Sequence, residues 1–278
     1  MQLVHLFRQT VERLRQAGIE EPENDAFQLF SFCFDLGRSQ FILQREREAD
    51  PDQAACLEKA VRRRLTREPL QHITGYREFW SRDFLVSPAV LIPRPETEFL
   101  LDRVLTKARS GSLPVGPVVD MCTGSGVIAV VLALELGRKV VAVDNIALHR
   151  QQTRIALLGS DLFSALRAGT RFACCVANPP YVGEDELALL QPEVRDWEPR
   201  SALLAGRQGL DAIRRLAAEI PAYLQPGGWL FIEIGAGQGE AVHSLFTVGT
   251  AAYEEVAVHP DWSGRPRVLQ ARTRKDAP

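Results

Sequence analysis

Residues 177–182 read Ala-Asn-Pro-Pro-Tyr-Val and follow an apolar run at 172–176 that is typical of a buried strand. Proline has no N–H group and Asn is a poor strand former, so the strand must end here. The side-chain oxygen of Asn178 and the carbonyl of Pro179 are two rigidly held acceptors beside the ring of Tyr181. They could hold both hydrogens of a planar NH2 group and direct its lone pair at an incoming carbon. The corner predicts group transfer to an amide or aromatic amine nitrogen, with no strong base required.

A glycine-rich stretch at 118–133, VVDMCTGSGVIAVVLA, predicts a cofactor loop. A strand ends at Asp120, two glycines let a ligand approach the backbone, and an apolar helix follows. Asp144 ends the next predicted strand, where a carboxylate can accept both hydroxyls of a ribose.

Two cofactors fit this loop. Gly124, Gly126 and Ala129 match the dinucleotide pattern G-x-G-x-x-A, with Asp144 about twenty residues downstream, which would suit NAD. Asp120 favours S-adenosylmethionine (SAM), because a carboxylate is poorly placed beside an anionic pyrophosphate but well placed near a cationic amino group. A glycine turn that only packs a strand against a helix is the third reading.

A further pair of residues, Asp161 and Leu162, ends the third predicted strand. That position suits an adenine pocket, with Leu162 or Phe163 against the ring and Asp161 near the amino group.

The elements that must position these residues alternate between strand and helix after residue 117. Apolar runs predict strands at 117–120, 140–143, 155–158, 172–177 and 229–234, and helices near 125–137 and 209–224. This alternation predicts a doubly wound, mostly parallel sheet, and residues 253–272 predict two further strands that form an antiparallel edge. Only about ten residues separate the second and third strands, fewer than a parallel crossover usually takes. We therefore expect a truncated crossover helix over 145–154, or residues missing from the chain.

In the chain before this sheet, the apolar residues recur with a different period. Helical stripes dominate the first seventy or so residues, and aromatic and β-forming residues from 76 onward predict a hairpin. The predicted domains are a helical, substrate-recognition domain over 1–75, a hairpin linker over 76–93 and a catalytic domain over 94–278.

Composition narrows the classes of function. The net charge of −2 argues weakly against a protein that mainly grips nucleic-acid phosphates. The five cysteines form no C-x-x-C pair, so we expect reduced thiols, no metal site and a cytoplasmic protein. No apolar run is long enough to cross a bilayer.

The motifs together resemble the HemK/PrmC family of class I SAM-dependent methyltransferases. The resemblance rests on Asn-Pro-Pro-Tyr at 178–181 after DMCTGSG at 120–126, on residues 67–101, and on the stretches PEVRDWEPRSALLAGRQGLD and YLQPGGWLFIEIGAGQGEAV. It covers nearly the whole chain. It implies a Rossmann-like fold with a small N-terminal helical domain. It also implies methylation of the side-chain nitrogen (N5) of the glutamine in the Gly-Gly-Gln motif of peptide chain release factors, with S-adenosylhomocysteine as product.

The resemblance also implies site residues. Asn178, Pro179, Pro180 and Tyr181 would hold the substrate glutamine, with Asn178, Pro179 and Tyr181 catalytic. SAM would contact Asp144, Asn178 and the loop residues Cys122, Thr123, Gly124, Ser125 and Gly126, while residues 94–96 would lie near the reaction centre. The chain departs from the family at two places: Cys122 stands where Gly is frequent, and Leu162 where some relatives have Trp.

Several alternatives share these motifs. They are a methyltransferase for a glutamine of a ribosomal protein, a DNA or RNA amino-group methyltransferase that extrudes its base, and a silent module that binds SAM or release factor. The favoured hypothesis expects a monomer with release factors as partners and neither nucleic acid nor membrane. The long segment 182–209 is predicted to cap the substrate, with Glu193, Arg195 and Glu198 as solvated charges.

Overall fold

The strands of the protein are short and apolar, and most of them join one sheet. A computed structural model describes residues 1–143, 154–248 and 251–275. Within these residues the strands are β1 Tyr76–Phe79, β2 Arg82–Leu85, β3 Val118–Met121, β4 Val140–Val143, β5 Ile155–Leu158, β6 Phe172–Ala177, β7 Leu224–Glu233, β8 Tyr253–Pro260 and β9 Pro266–Thr273.

The helices in the same residues begin mostly at prolines or after glycines, which suit a first helical turn. They are α1 Leu3–Gln16, α2 Pro22–Phe34, α3 Arg38–Gln44, α4 Pro51–Leu65, α5 Leu70–Thr74, α6 Pro95–Arg109, α7 Val127–Leu136, α8 Pro192–Arg195, α9 Arg200–Leu203, α10 Asp211–Glu219 and α11 Gly239–Thr247. No described helix has the length and apolar character to cross a membrane.

The large sheet has the strand order β5-β4-β3-β6-β7-β9-β8. Neighbours from β5 to β7 pair in parallel, whereas β9 pairs antiparallel to both β7 and β8. The prediction of a mostly parallel sheet with an antiparallel C-terminal edge is confirmed.

The register of the central strands brings the two predicted motifs together. β3 and β6 are neighbours, and Met121 pairs with Ala177. The glycine loop and the Asn-Pro-Pro-Tyr corner therefore leave the same edge of the sheet side by side, at the carboxyl ends where ligands bind in such folds.

Apolar layers cover both faces of these strands, which explains why β3 and β6 are continuous hydrophobic runs. Val118, Cys174 and Val176 pack on one face with residues of α6 and α7. Val119 and Cys175 pack on the other face with residues of α10 and α11. Cys174 and Cys175 therefore point to opposite faces, and both are free thiols.

Strand β7 begins earlier than its sequence predicts. It starts at Leu224, not near residue 229, because the Pro-Gly-Gly stretch that reads as a turn is accommodated as an irregularity within the strand. Phe172 pairs with Leu224 and Cys174 with Trp229, so the register shifts between the two pairs.

One prediction lies outside the described residues. Asp144 and the connection over 145–153 belong to the stretch between Val143 and Arg154, so neither the ribose contact nor the short crossover is tested. The strands on either side, β4 and β5, pair in parallel with Val140 opposite Ile155.

The chain forms two compact units. One contains residues 1–76, 86–88 and 191–197, and the other contains 77–85, 89–190 and 198–278. In the first, α1, α2, α4 and α5 surround a core that includes Leu14, Phe30 and Val61.

A buried ion-pair network in this first unit corrects one prediction. Glu193 is not a solvated charge, because its carboxylate accepts from Arg64 Nη2 at 2.9 Å and from Arg67 Nη2 at 2.8 Å. Arg64 also donates from Nε to Asp25 at 2.7 Å, and its side chain is 8% exposed. Arg195, in contrast, forms an exposed pair with Asp196.

Candidate active site

A cavity of about 530 Å³ opens at the carboxyl ends of β3 and β6 in the second unit. The lining residues come from the glycine loop, the segment after β5, the Asn-Pro-Pro-Tyr corner, the start of α6 and the loop before it, the region of α9, and α10. They include Val90, Pro93, Thr97, Cys122, Thr123, Gly124, Ser125, Asp161, Leu162, Asn178, Pro180, Pro199, Ser201, Ala202 and Arg215.

The glycine loop makes a tight turn through left-handed backbone conformations. Cys122, Gly124 and Gly126 have φ angles of 60°, 52° and 82°. The last two suit glycine, but an L side chain at such a φ costs on the order of 1 kcal/mol, so Cys122 is strained. The turn closes with a bond from Gly126 N to Thr123 O of 2.8 Å. Cys122, Thr123, Gly124 and Ser125 line the cavity, and Gly126 begins α7 behind it.

Asp120 lies beneath the loop and is not among the residues that line the cavity. It is fully buried. Its Oδ2 accepts from Thr123 Oγ1 at 2.6 Å and from the backbone N of Ala129 at 3.0 Å. Because Ala129 is in the first turn of α7, this carboxylate ties the strand to the helix N-terminus, where a negative charge is favourable. The predicted contact between Asp120 and a cofactor stays a prediction.

Asp161 and Leu162 follow β5 and line the cavity, and their predicted contact with an adenine ring stays a prediction. The carboxylate of Asp161 accepts two bonds from Arg215, at 2.9 and 3.1 Å, and this partner lowers the pKa of Asp161. The Asp161 side chain is 74% exposed, so it remains accessible. Leu162 is buried and has a φ of 47°.

The corner after β6 turns Asn178 toward the cavity. Its Nδ2 donates to Thr97 Oγ1 at 3.2 Å. Its Oδ1 is buried and has no hydrogen-bond partner among the described residues. A buried acceptor in this condition costs on the order of 1–3 kcal/mol, so few remain without a reason in folded proteins.

The other residues of the corner differ in their exposure to the cavity. Pro180 lines the cavity, whereas Pro179 is buried and Tyr181 packs at the edge of the core behind it. The backbone carbonyl of Tyr181 accepts from Gln238 Nε2 at 2.9 Å, and a Cβ added to Gly209 would lie 2.2 Å from that carbonyl. The corner is therefore held tightly by its neighbours. The roles predicted for Pro179 and Tyr181 toward a substrate stay predictions.

Two residues that the sequence analysis missed complete this corner. Glu233, at the end of β7, is fully buried. Its Oε2 accepts from Thr97 Oγ1 at 2.7 Å and its Oε1 accepts from Tyr181 OH at 3.2 Å. Burial raises the pKa of Glu233 to about 7, although Thr97, Arg267 and Tyr181 oppose the rise. A lone acid in the apolar strand FIEIG is the sequence signal for Glu233, and Thr97 gives none.

The loop before α6 reaches the cavity through Val90, Leu91 and Pro93. Next to them, Arg94 donates to Glu198, which also accepts from the backbone N of Ile92 at 3.4 Å. Glu198 is 5% exposed and burial raises its pKa, so it is a buried anchor of this loop and not the solvated charge that the sequence predicts. Among the described residues, no cluster of three or more His, Cys, Asp or Glu side chains could hold a metal ion.

Comparison with known proteins gives one consistent family. The model of the PrmC N-terminal domain matches residues 5–75. A release factor glutamine methyltransferase of Koribacter versatilis is 40% identical over 98% of this chain and 99% of its own length. The release factor glutamine methyltransferase of Escherichia coli is 36% identical over 98% of this chain and 99% of its own length.

A solved structure supports the fold alone. The hMettl16 catalytic domain, solved in complex with the MAT2A 3'UTR hairpin 6, superposes with a TM-score of 0.53 at 12% identity. The match covers 70% of this chain and 76% of that one.

Proposed function

The chain belongs to the release factor glutamine methyltransferase family, and from this premise we propose its reaction and site. It transfers a methyl group from SAM to the N5 nitrogen of the glutamine in the Gly-Gly-Gln motif of peptide chain release factors, and S-adenosylhomocysteine is the product. The class I methyltransferase fold follows from the family and from the mostly parallel sheet with its antiparallel edge. The observation that carries the site assignment is the buried Oδ1 of Asn178, an acceptor with no partner among the described residues, in a side chain that lines the cavity.

The residues present fit SAM. The loop at 122–125 offers backbone to a ligand in a cavity of about 530 Å³, the volume class of small-molecule sites. Asp161 at the rim offers a carboxylate to an adenine amino group, and Leu162 an apolar surface. When bound, SAM supplies a methyl group on a positively charged sulfur.

Asn178 and Pro179 then act on the substrate amide. An amide nitrogen is a weak nucleophile, because its lone pair is delocalised into the carbonyl. Asn178 Oδ1 and the Pro179 carbonyl accept hydrogen bonds from the two N–H groups of the amide. These bonds orient the nitrogen lone pair at the methyl carbon and stabilise the positive charge that develops on nitrogen. The departing proton passes to water after transfer, so no side chain has to act as a strong base.

The proposal also divides the chain into domains. We assign residues 1–75 to a helical substrate-recognition domain, 76–93 to a hairpin linker and 94–278 to the methyltransferase domain. The recognition partner is the release factor, and we expect the enzyme to act as a monomer.

The test is incubation of the protein with isotope-labelled SAM and purified release factors, followed by mass spectrometry of the Gly-Gly-Gln peptide. The expected result is one added methyl group on that glutamine, and no product from a release factor in which the glutamine is replaced by asparagine. Label on a ribosomal protein or on nucleic acid, with none on the release factor, would overturn the proposal.

A further inference from the structure

Glu233 is an unusual residue for its position in the sheet. It ends a strand whose residues 228–232 are all buried, and its own side chain is fully buried. Removing a carboxylate from water costs several kcal/mol unless it is well paired, and buried carboxyl groups of this kind cluster at functional sites. Among the described residues, its side chain accepts hydrogen bonds from two hydroxyls, those of Thr97 and Tyr181.

The hydrogen bonds form a chain that leads from Glu233 to Asn178. Thr97 Oγ1 lies 2.7 Å from Glu233 Oε2 and 3.2 Å from Asn178 Nδ2. All three residues of this chain are held in place. Glu233 is fully buried, Thr97 is 2% exposed, and Asn178 directly follows the central strand β6.

The chemistry of the three groups sets the direction of every bond in this chain. An ionised carboxylate only accepts, so the single proton of Thr97 must point at Glu233. The oxygen of Thr97 can then only accept from its other neighbour, and the donor of Asn178 is its NH2 group. Oδ1 of Asn178 is therefore turned away from Thr97 and kept as an acceptor.

We propose that Glu233 is a positioning residue that acts through Thr97 to fix the side-chain amide of Asn178 with Oδ1 presented to the substrate nitrogen. It acts through Tyr181 as well, because the phenol donates to its other oxygen and holds the ring of the corner. The inference rests on the proposed function for its kinetic consequence, but the orientation of Asn178 is a property of the free protein.

Protonation of Glu233 would remove the fixed direction of these hydrogen bonds. A protonated carboxyl group can donate to Thr97, whose proton is then free to point at Asn178. The charged and titratable groups that act on Glu233 are Arg267 on β9, which lowers its pKa, Tyr181, which also lowers it, and Glu96 on α6, which raises it. With a pKa of about 7, the group changes charge in the range where the enzyme would be assayed.

The experiment is single-turnover methyl transfer to a release factor, measured between about pH 6 and pH 8.5. In the wild type the rate is expected to rise with pH through about 7. Glu233→Gln is expected to lower the rate about 10–100-fold at the upper pH, as loss of an outer partner of site residues does elsewhere. Its rate should also lose the inflection near pH 7, while the dissociation constant for SAM stays within about threefold.

Variants of Thr97 separate positioning from packing. Thr97→Val keeps the shape but breaks the chain and should behave like Glu233→Gln, whereas Thr97→Ser keeps the hydroxyl and should restore the rate and the inflection. Thr273→Val is the matched control, because Thr273 is an equally buried threonine whose hydroxyl donates to the backbone carbonyls of Gln225 and Gly228 near the start of β7, whereas Glu233 ends that strand. Thr273→Val should leave the transfer rate and its inflection near pH 7 unchanged.

A second measurement does not depend on the substrate. The side-chain ¹⁵N resonance of Asn178 should shift with pH through about 7 in the wild type and stay constant in Glu233→Gln. Full transfer by Glu233→Gln with the wild-type pH profile, or a resonance that does not respond to pH in the wild type, would overturn the inference. A wild-type protein that methylates no release factor but shows the resonance shift would overturn the proposed function and leave the positioning intact.

Discussion

At the scale of single residues, the sequence indicated Asn178, but it did not indicate Thr97 and Glu233, the residues that hold Asn178 in place. Two prolines that interrupt a core strand draw attention to Asn178, and the chemistry of an amide acceptor follows from the residue type. Glu233 and Thr97 stand far from residue 178 in the sequence, and only the fold brings them into contact. Nothing in their spacing carries that information.

The strained residue of the glycine loop gives a prediction at this scale. Cys122 has a φ of 60°, where glycine is comfortable and a β-branched residue is an outlier. Cys122→Gly should leave the free energy of unfolding unchanged or raise it by up to about 1 kcal/mol, since relief of strain outweighs the added freedom of the unfolded chain. Cys122→Val, of similar size, should lower it by about 1–2 kcal/mol.

Urea unfolding of the three proteins without cofactor would measure this difference. A Cys122→Val protein as stable as the wild type would show that the loop backbone is not held in the left-handed region.

At the scale of elements, hydrophobic runs and glycines predicted the central strands to within a residue or two. β6 was predicted at 172–177 and spans Phe172–Ala177, and β4 and β5 also agree. The predicted start of β7 was wrong. A Pro-Gly-Gly stretch is typical of a turn, and it becomes an irregularity within a strand only because β6 pairs with it. The predictions that Glu193 and Glu198 are solvated were wrong for a related reason. The sequence does not show which arginine pairs with an acidic residue, so the residue is assumed to be solvated.

The start of α7 carries the second prediction. Asp120 accepts from Ala129 N and Thr123 Oγ1, so Asp120→Ala would leave a buried donor unpaired at the helix N-terminus. The free energy of unfolding without cofactor should fall by about 2 kcal/mol. Asp120→Asn, which keeps one acceptor oxygen, should lose less.

The control is Asp83→Ala, an exposed acid in the hairpin, which should change stability by no more than about 0.5 kcal/mol. Unfolding energies that are equal for Asp120→Ala and wild type, together with lost SAM affinity, would show that Asp120 serves the cofactor alone.

At the scale of the whole molecule, the sequence predicted the fold class and the family through motifs spread over nearly the full chain. It could not predict that a buried carboxylate beneath the site opposes folding. Glu233 has a folded-state pKa of about 7 against an ordinary value of 4.5, so between these values the folded protein binds the extra proton. Stability from this group is therefore present below pH 4.5 and is lost as the pH rises through about 7.

Glu233→Gln should consequently gain stability relative to the wild type as the pH rises from about 4.5 to about 7, and keep that advantage above it. Each pKa unit corresponds to 1.36 kcal/mol, so the full difference is on the order of 3 kcal/mol. Denaturant unfolding of both proteins at several pH values measures it. A difference that is constant with pH would mean that Glu233 titrates alike in the folded and unfolded states.

The most direct test of the account is the single-turnover rate of methyl transfer to a release factor by Asn178→Ala, measured with the dissociation constant for SAM. We expect the rate to fall by about 10²-fold or more, as for other preorganised polar contacts, while SAM still binds. A variant that transfers the methyl group at the wild-type rate would contradict the assignment of Asn178 Oδ1 as an acceptor for the substrate amide.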